Sequence, residues 1–196
     1  LTINAGASTL TKNDFIHILP SKTPPYLAAN GGNFELNVND FGAVSIAGGI
    51  NVWERGVPGN ALTTVSSPVN AWKTGLTTNV TDATYTCALM SPNFNLSATG
   101  QYKLKFKKSM EHYYCNGPFA VQMQYSTDKG VSWQRLGAFS DPNGVNWYNK
   151  DPNDANCKID VALFNGEKQG WMLNTSNQNT EYNLSALAGQ ANVAFR

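Results

Sequence analysis

The chain has 196 residues, of which 14% are charged, and a formal net charge of +1, a balance that argues against both a polyanion-binding surface and a charged disordered tail and so against nucleic acid as a partner. No apolar run reaches the roughly 20 residues of a membrane span, and no basic-then-apolar leader opens the sequence, so membrane insertion is not expected. Abundant Asn, Thr, Ser and Gly, without long runs of Leu, Glu, Lys and Ala, predict short strands joined by polar turns, an all-β protein.

In chain order, a turn over 4–8 around Gly6 precedes a predicted strand over 15–19 that ends at Pro20. Residues 21–32 carry Pro24, Pro25, Gly31 and Gly32, which remove donors and break regular structure, so a linker is expected there. Short strands follow over 34–36, 44–46 and 50–53, then a long ordered loop over 55–83 that includes Trp72. Further strands are expected over 85–90, 102–107, 119–125 and 133–138. Lys103, Lys105, Lys107 and Lys108 alternate with Leu104 and Phe106, which marks the solvated face of a strand rather than a phosphate site. Phe119, Val121, Met123 and Tyr125 share one face of a half-buried strand. The stretch 141–158, rich in Asn and Asp and holding Trp147 and Tyr148, reads as an exposed aromatic loop. Strands over 170–173, 180–183 and 192–195 close the chain, with a turn over 184–189.

Ser126, Asp128, Gly130 and Trp133 fit the pattern SxDxGxxW of an Asp box. Physically it is a hairpin in which the carboxylate accepts turn amides, the glycine takes positive φ and the indole packs below, a structural role rather than a catalytic one. Of the five Trp and eight Tyr, Trp53, Trp72 and Trp133 fit a core. Trp147, Tyr148, Tyr113 and Tyr114 lie in polar sequence and are the candidates for stacking on a sugar, with ordinary packing as the alternative. Three cysteines leave one unpaired: Cys115 and Cys157 are in loop-like sequence and are expected to bond, while Cys87 sits among Tyr85, Leu89 and Met90 as a core thiol would. His112 beside Glu111 has no second histidine except His17, and no two carboxylates are paired by motif, so no catalytic set is assembled.

Five segments together, 53–58 (WERGVP), 70–74 (NAWKT), 89–97 (LMSPNFNLS), 125–133 (YSTDKGVSW) and 182–190 (YNLSALAGQ), resemble in order and spacing a jelly-roll module of secreted multidomain bacterial proteins of the Bacteroidetes type, akin to MAM-like and reelin-like sandwiches. Residues 1–6 with 14–18 resemble the last strands of a PKD-type, immunoglobulin-like domain. The resemblance implies an antiparallel β-sandwich of jelly-roll type over 33–196, the tail of a PKD-like neighbour over 1–20 and a linker over 21–32. It also implies an extracellular or cell-surface location, and a non-catalytic accessory role beside the other domains of the same chain, with a glycan or an extracellular protein as partner. A structural spacer, or a fragment of a secreted hydrolase such as a metalloprotease or glycosidase, are the alternatives. The family's last strand is missing, so an open edge is expected unless the N-terminal segment covers it. Glu35 falls where carbohydrate-binding jelly rolls carry a calcium ligand, with Asn37, Asn39 and Asp40 as nearby oxygen donors, so calcium is an expected structural ion. Glu111 and Asn116 correspond to an acidic pair of the family, with Asn replacing Asp before Gly117.

Overall fold

The computed structural model describes residues 2–5, 8–11, 18–36, 39–80, 86–111, 121–154, 169–172 and 174–196, the first two stretches as backbone alone. Among them there is no α-helix, and the regular structure is short strands joined by turns, as the polar composition dictates. At the N-terminus β1 (Thr2–Ala5) and β2 (Ser8–Thr11) form an antiparallel hairpin. The expected turn residue Gly6 lies outside the described residues, and of the strand expected over 15–19 only Ile18 and Leu19 are described, and they are not in a strand.

The stretch expected to be a linker is instead docked. Within it β3 (Ser21–Lys22) runs parallel to β8 (Asn93–Phe94), and the Pro20 and Lys22 carbonyls accept from Asn93 and Asn95 N–H at 2.9 and 2.8 Å. Lys22 Nζ reaches Asp40 at 2.9 Å, and the Tyr26 hydroxyl donates to the same carboxylate at 2.8 Å. Proline removes donors but leaves carbonyls, so a Pro-rich stretch can still lie along a sheet edge as an acceptor.

Beyond it, β4 (Gly42–Ser45) pairs with β7 (Cys87–Met90), and β5 (Trp53–Gly56) with β6 (Ala71–Thr74), both antiparallel. The loop expected over 55–83 therefore contains a strand, in which Trp72 lies opposite Arg55. Residues 34–36 form bends rather than a strand, with Phe34 at φ 65°.

Two three-stranded sheets make the body. In the first, β13 (Asn174–Asn183) lies between β9 (Lys103–Met110) and β12 (Gly144–Val145). In the second, β10 (Gln124–Ser126) lies between β11 (Gln134–Arg135) and β14 (Ala194–Phe195). Both give side chains to one core of Leu96, Leu136, Trp147, Tyr148, Trp171, Tyr182, Leu184, Leu187, Val193 and Phe195, with Leu104, Phe106 and Met110 of β9 against it. The molecule is thus an all-β sandwich. β14 is bonded on both flanks, to β10 and through the Phe195 carbonyl to Ser91 N–H at 2.9 Å, so no open edge lies there.

The β9–β13 register explains the alternation of the lysines. Leu104 faces Tyr182 and Phe106 faces Thr180 on the inner side, while Lys105 pairs with Glu181 at 3.0 Å on the outer side. Two more steps of the same parity place Lys108 and Met110 on the inner face. The expectation of a single solvated lysine face thus holds for Lys103, Lys105 and Lys107 and fails for Lys108, whose ammonium lies 5.3 Å from the Trp171 ring centroid.

Candidate functional site

The Asn- and Asp-rich stretch expected to be an exposed aromatic loop is pinned to the core by its rings. Trp147 is 5% exposed and Tyr148 4%. Their centroids lie 4.9 Å from that of Trp171, and Trp147 is 4.5 Å from Tyr182. The polar atoms of the rings are spent internally: Trp147 Nε1–H donates to the Leu136 carbonyl at 2.9 Å, and the Tyr148 hydroxyl donates to the Met123 carbonyl and accepts from Met123 N–H, at 2.9 and 3.0 Å. Two glycines make room. A Cβ on Gly137, which sits at φ 74°, would fall 2.5 Å from Trp147 Nε1, and one on Gly144 would fall 2.5 Å from Trp147 Cβ. The exposure expected for Trp147 and Tyr148 is therefore corrected: an aromatic in polar sequence is drawn inward when its polar atom can find a backbone partner.

Buried as they are, Trp147 and Tyr148 are among the residues that line an open cleft of about 400 Å³, together with Asp141, Asn146, Asn149, Asn174 and Gln178. Two features of the chain shape its rim. Ser140 and Asn146 both hold positive φ, 58° and 51°, a conformation uncommon outside glycine and better tolerated by Asn, and Asn146 is fixed by its Nδ2, which donates to the Asn179 carbonyl at 2.7 Å. On the opposite side β13 is bulged. Asn174 faces Met110 and Gln178 faces Lys108, so four steps on β13 match two on β9. The extra residues draw Asn174 and Gln178 together, and Asn174 Nδ2 donates to Gln178 Oε1 at 2.7 Å.

One charged residue, Asp141, is among those that line the cleft. Asp141 accepts the Tyr182 hydroxyl at 2.7 Å on Oδ2 and both the backbone and side-chain N–H of Asn143, at 2.9 and 3.0 Å, on Oδ1. Burial pushes its pKa up, but these bonds outweigh it and leave the carboxyl below its ordinary value. Burial, followed by the Asp141 carboxylate, pushes the Tyr182 hydroxyl up, so it stays a donor. Gln178, another lining residue, accepts on Oε1 from Lys108 Nζ at 2.7 Å, and burial lowers the Lys108 pKa to about 8.

Of the remaining expected site residues, those that are described do not line the cleft. Tyr113, Tyr114, Cys115 and Cys157 lie outside the described residues, as do His112 and Asn116, while Cys87 is a half-buried free thiol. Glu35 Oε1 accepts Val69 and Asn70 N–H at 3.1 and 2.8 Å, and Oε2 accepts Asn70 Nδ2–H. The Asn70 backbone bond is the main cause that holds its carboxyl below the ordinary value. Asp40 is taken by Lys22 and Tyr26. Calcium needs six to eight oxygen ligands, whereas these two carboxylates serve N–H, O–H and ammonium donors in separate networks. No group of three or more His, Cys, Asp or Glu is placed to hold a metal among the described residues. The donor set at Glu35 and Asp40 does not fit a calcium site.

The SxDxGxxW hairpin joins β10 to β11. Asp128 accepts the Ser132 hydroxyl at 2.5 Å, Ser132 N–H at 2.9 Å and the Ser126 hydroxyl at 2.7 Å. Gly130 takes φ 87°, and Trp133 Nε1–H donates to its carbonyl at 3.1 Å. The Arg196 guanidinium covers the indole at 4.6 Å. The polar atoms of Ser126, Asp128, Ser132 and Trp133 named here serve the turn.

Neither Asn146, Asn149, Asn174 and Gln178 nor the cleft they line was legible in the sequence, because the bulge that brings two of them together depends on a partner strand far away in the chain. Lys108 did carry a signal, a lysine at the parity of Leu104 and Phe106. No helix among the described residues is long and apolar enough to cross a membrane. Comparison with protein-family models, with curated proteins and with solved structures returns no match to this chain.

Proposed function

We propose that the chain is a non-catalytic accessory module of a secreted multidomain protein, and that the cleft between residues 139–149 and β13 takes a glycan. The observation that carries this reading is the cleft itself, an open concavity lined by several side-chain amides beside Trp147 and Tyr148. Amides supply both donors and acceptors in fixed positions, which suits a ligand whose hydroxyls are also both. Asp141, the carboxylate of the lining, is spent on Tyr182 and Asn143, so the lining offers no opposed carboxylates of the kind that glycoside hydrolysis uses. The resemblance to jelly-roll modules of secreted proteins agrees with this role, with the other domains of the parent chain as its companions and the cell exterior as its place.

The reading is tested on a glycan array with the purified domain, wild type and Asn146→Ala, each with calcium and with EDTA. Selective binding that is weakened about tenfold by Asn146→Ala and indifferent to EDTA is the expected result. Silence from a folded sample overturns it. A structural spacer is the second reading, and one observation favours it: Trp147 and Tyr148 are fully engaged as anchors of the core. That reading requires silence on the array.

A further inference from the structure

Two side chains of the β13 bulge line the cleft, Asn174 and Gln178, and the groups bonded to them fix which way their amides face. Asn174 Oδ1 accepts the Ser176 backbone N–H at 3.2 Å and the Ser176 hydroxyl at 2.6 Å. Asn174 Nδ2 in turn donates to Gln178 Oε1 at 2.7 Å, and the same oxygen accepts from Lys108 Nζ, also at 2.7 Å. A backbone N–H and an ammonium can only donate, so neither amide can turn over without setting its nitrogen against a donor. The bonds therefore run one way, from Ser176 through Asn174 and from Lys108 into Gln178.

An amide oxygen has two lone pairs, and each of these two oxygens already takes two donors. What Asn174 and Gln178 can give a ligand is N–H, the second hydrogen of Asn174 Nδ2 and those of Gln178 Nε2. This part of the lining works as a donor surface. Hydrogen bonds in series polarise one another, and the ammonium and amide bonded to Gln178 Oε1 make the Gln178 N–H groups better donors. Asp141, which also lines the cleft, brings a carboxylate, so the acceptor that suits the cleft as a whole is a neutral one.

A sugar hydroxyl laid against these N–H groups can accept, but its own hydrogen must then find an acceptor elsewhere. A carbonyl oxygen carries no hydrogen and takes two N–H at once. We infer that the glycan taken by the cleft carries N-acetylated amino sugars, and that an acetamido carbonyl is received by the side-chain N–H groups of Gln178 and Asn174. This rests on the glycan reading above and names the class of sugar. It also gives the bulge a role, because the extra residues on β13 are what bring the two amides into one directed chain.

The test is an array that carries oligomers of β-linked glucose beside oligomers of the same linkage in which each ring bears an acetamido group in place of one hydroxyl. It is read with wild type, Gln178→Glu and Gln178→Met, and near-UV circular dichroism of each establishes that the aromatic core is intact. Gln178→Glu keeps the shape and a partner for Lys108 but puts an acceptor where Nε2 was; Gln178→Met removes the donors without adding charge. Expected is a preference of about tenfold or more for the acetamido series in wild type, lost in both variants. In wild type the Gln178 side-chain amide signals should also shift with the acetamido oligomer, a reading that needs no variant. Equal binding of the two series overturns the inference and leaves the glycan reading standing. A preference that survives in either folded variant, or Gln178 signals that stay in place, overturns the assignment to Gln178. Silence of a folded wild type across the whole array overturns the glycan reading itself.

Discussion

Residues 18–80 and residues 86–196 are both built of short strands, yet they bury their side chains very differently. Among the described residues the buried core hydrophobics from Ala88 onward have only Pro58 as a buried apolar counterpart in the first part, where Ile18, Leu27, Leu36, Val44, Ile50, Val57 and Val69 are exposed. The first part is held by two-stranded pairings and polar anchors: Lys22 and Tyr26 on Asp40, and Asn70 on Glu35. The second is held by an aromatic cluster in which Trp147, Trp171, Tyr148 and Tyr182 touch one another. Two strands alone are marginal in water, so rigidity is concentrated where three-stranded sheets face each other. The cleft lies on that rigid part, and its lining includes the core residues Trp147 and Tyr148.

The largest expected effect comes from the rings. Trp147→Ala should cost about 3–5 kcal/mol in chemical denaturation, as large-to-small changes in a packed core do, while Trp72→Ala in β6, which is half buried, should cost about 1 kcal/mol. Equal costs would break the contrast between the two parts. A pair of glycines sharpens it. Gly137 and Gly48 have nearly the same φ, 74° and 79°, but a Cβ meets Trp147 and Tyr182 at the first and nothing within 4 Å at the second. Gly137→Ala should cost about 3 kcal/mol through strain and overpacking together, and Gly48→Ala about 1 kcal/mol through strain alone.

The polar anchors should behave locally. In Asp40→Ala the amides of Asn93 and Asn95, which bond to the Pro20 and Lys22 carbonyls, should exchange with solvent faster, while those of Thr180 to Asn183 keep their protection. The smallest effect belongs to Asp128. Its pKa falls from the ordinary 3.8 to about 2, chiefly through the Ser132 hydroxyl bond. A depressed carboxyl contributes stability that is present above its unfolded value and lost as pH falls through its folded value. The Tm difference between wild type and Asp128→Asn should therefore be small and constant above about pH 5, and should shrink between about pH 4 and pH 2.

The sequence was most readable where a local rule decides the outcome. The SxDxGxxW turn needs only nearby atoms, and the alternation of Leu104 and Phe106 with Lys103, Lys105 and Lys107 is a property of one strand. The all-β class followed from composition. The course of residues 20–26, the β5–β6 pairing and the β13 bulge depend on contacts distant in the chain, which no local pattern encodes. Trp147 and Tyr148 misled for a related reason. Their neighbours Asn146, Asn149 and Lys150 are polar, but the burial of the rings is set by Gly137, Leu136 and Met123, residues outside their own stretch.

The most direct test of the cleft as the binding site is a two-dimensional NMR titration of the labelled domain with the glycan selected on the array. The expected result is that the side-chain amides of Asn146, Asn149 and Gln178 shift, while the Trp147 indole N–H, already bonded to Leu136, moves little. Shifts gathered instead on residues 27–69, around the exposed apolar side chains of the first part, would contradict it.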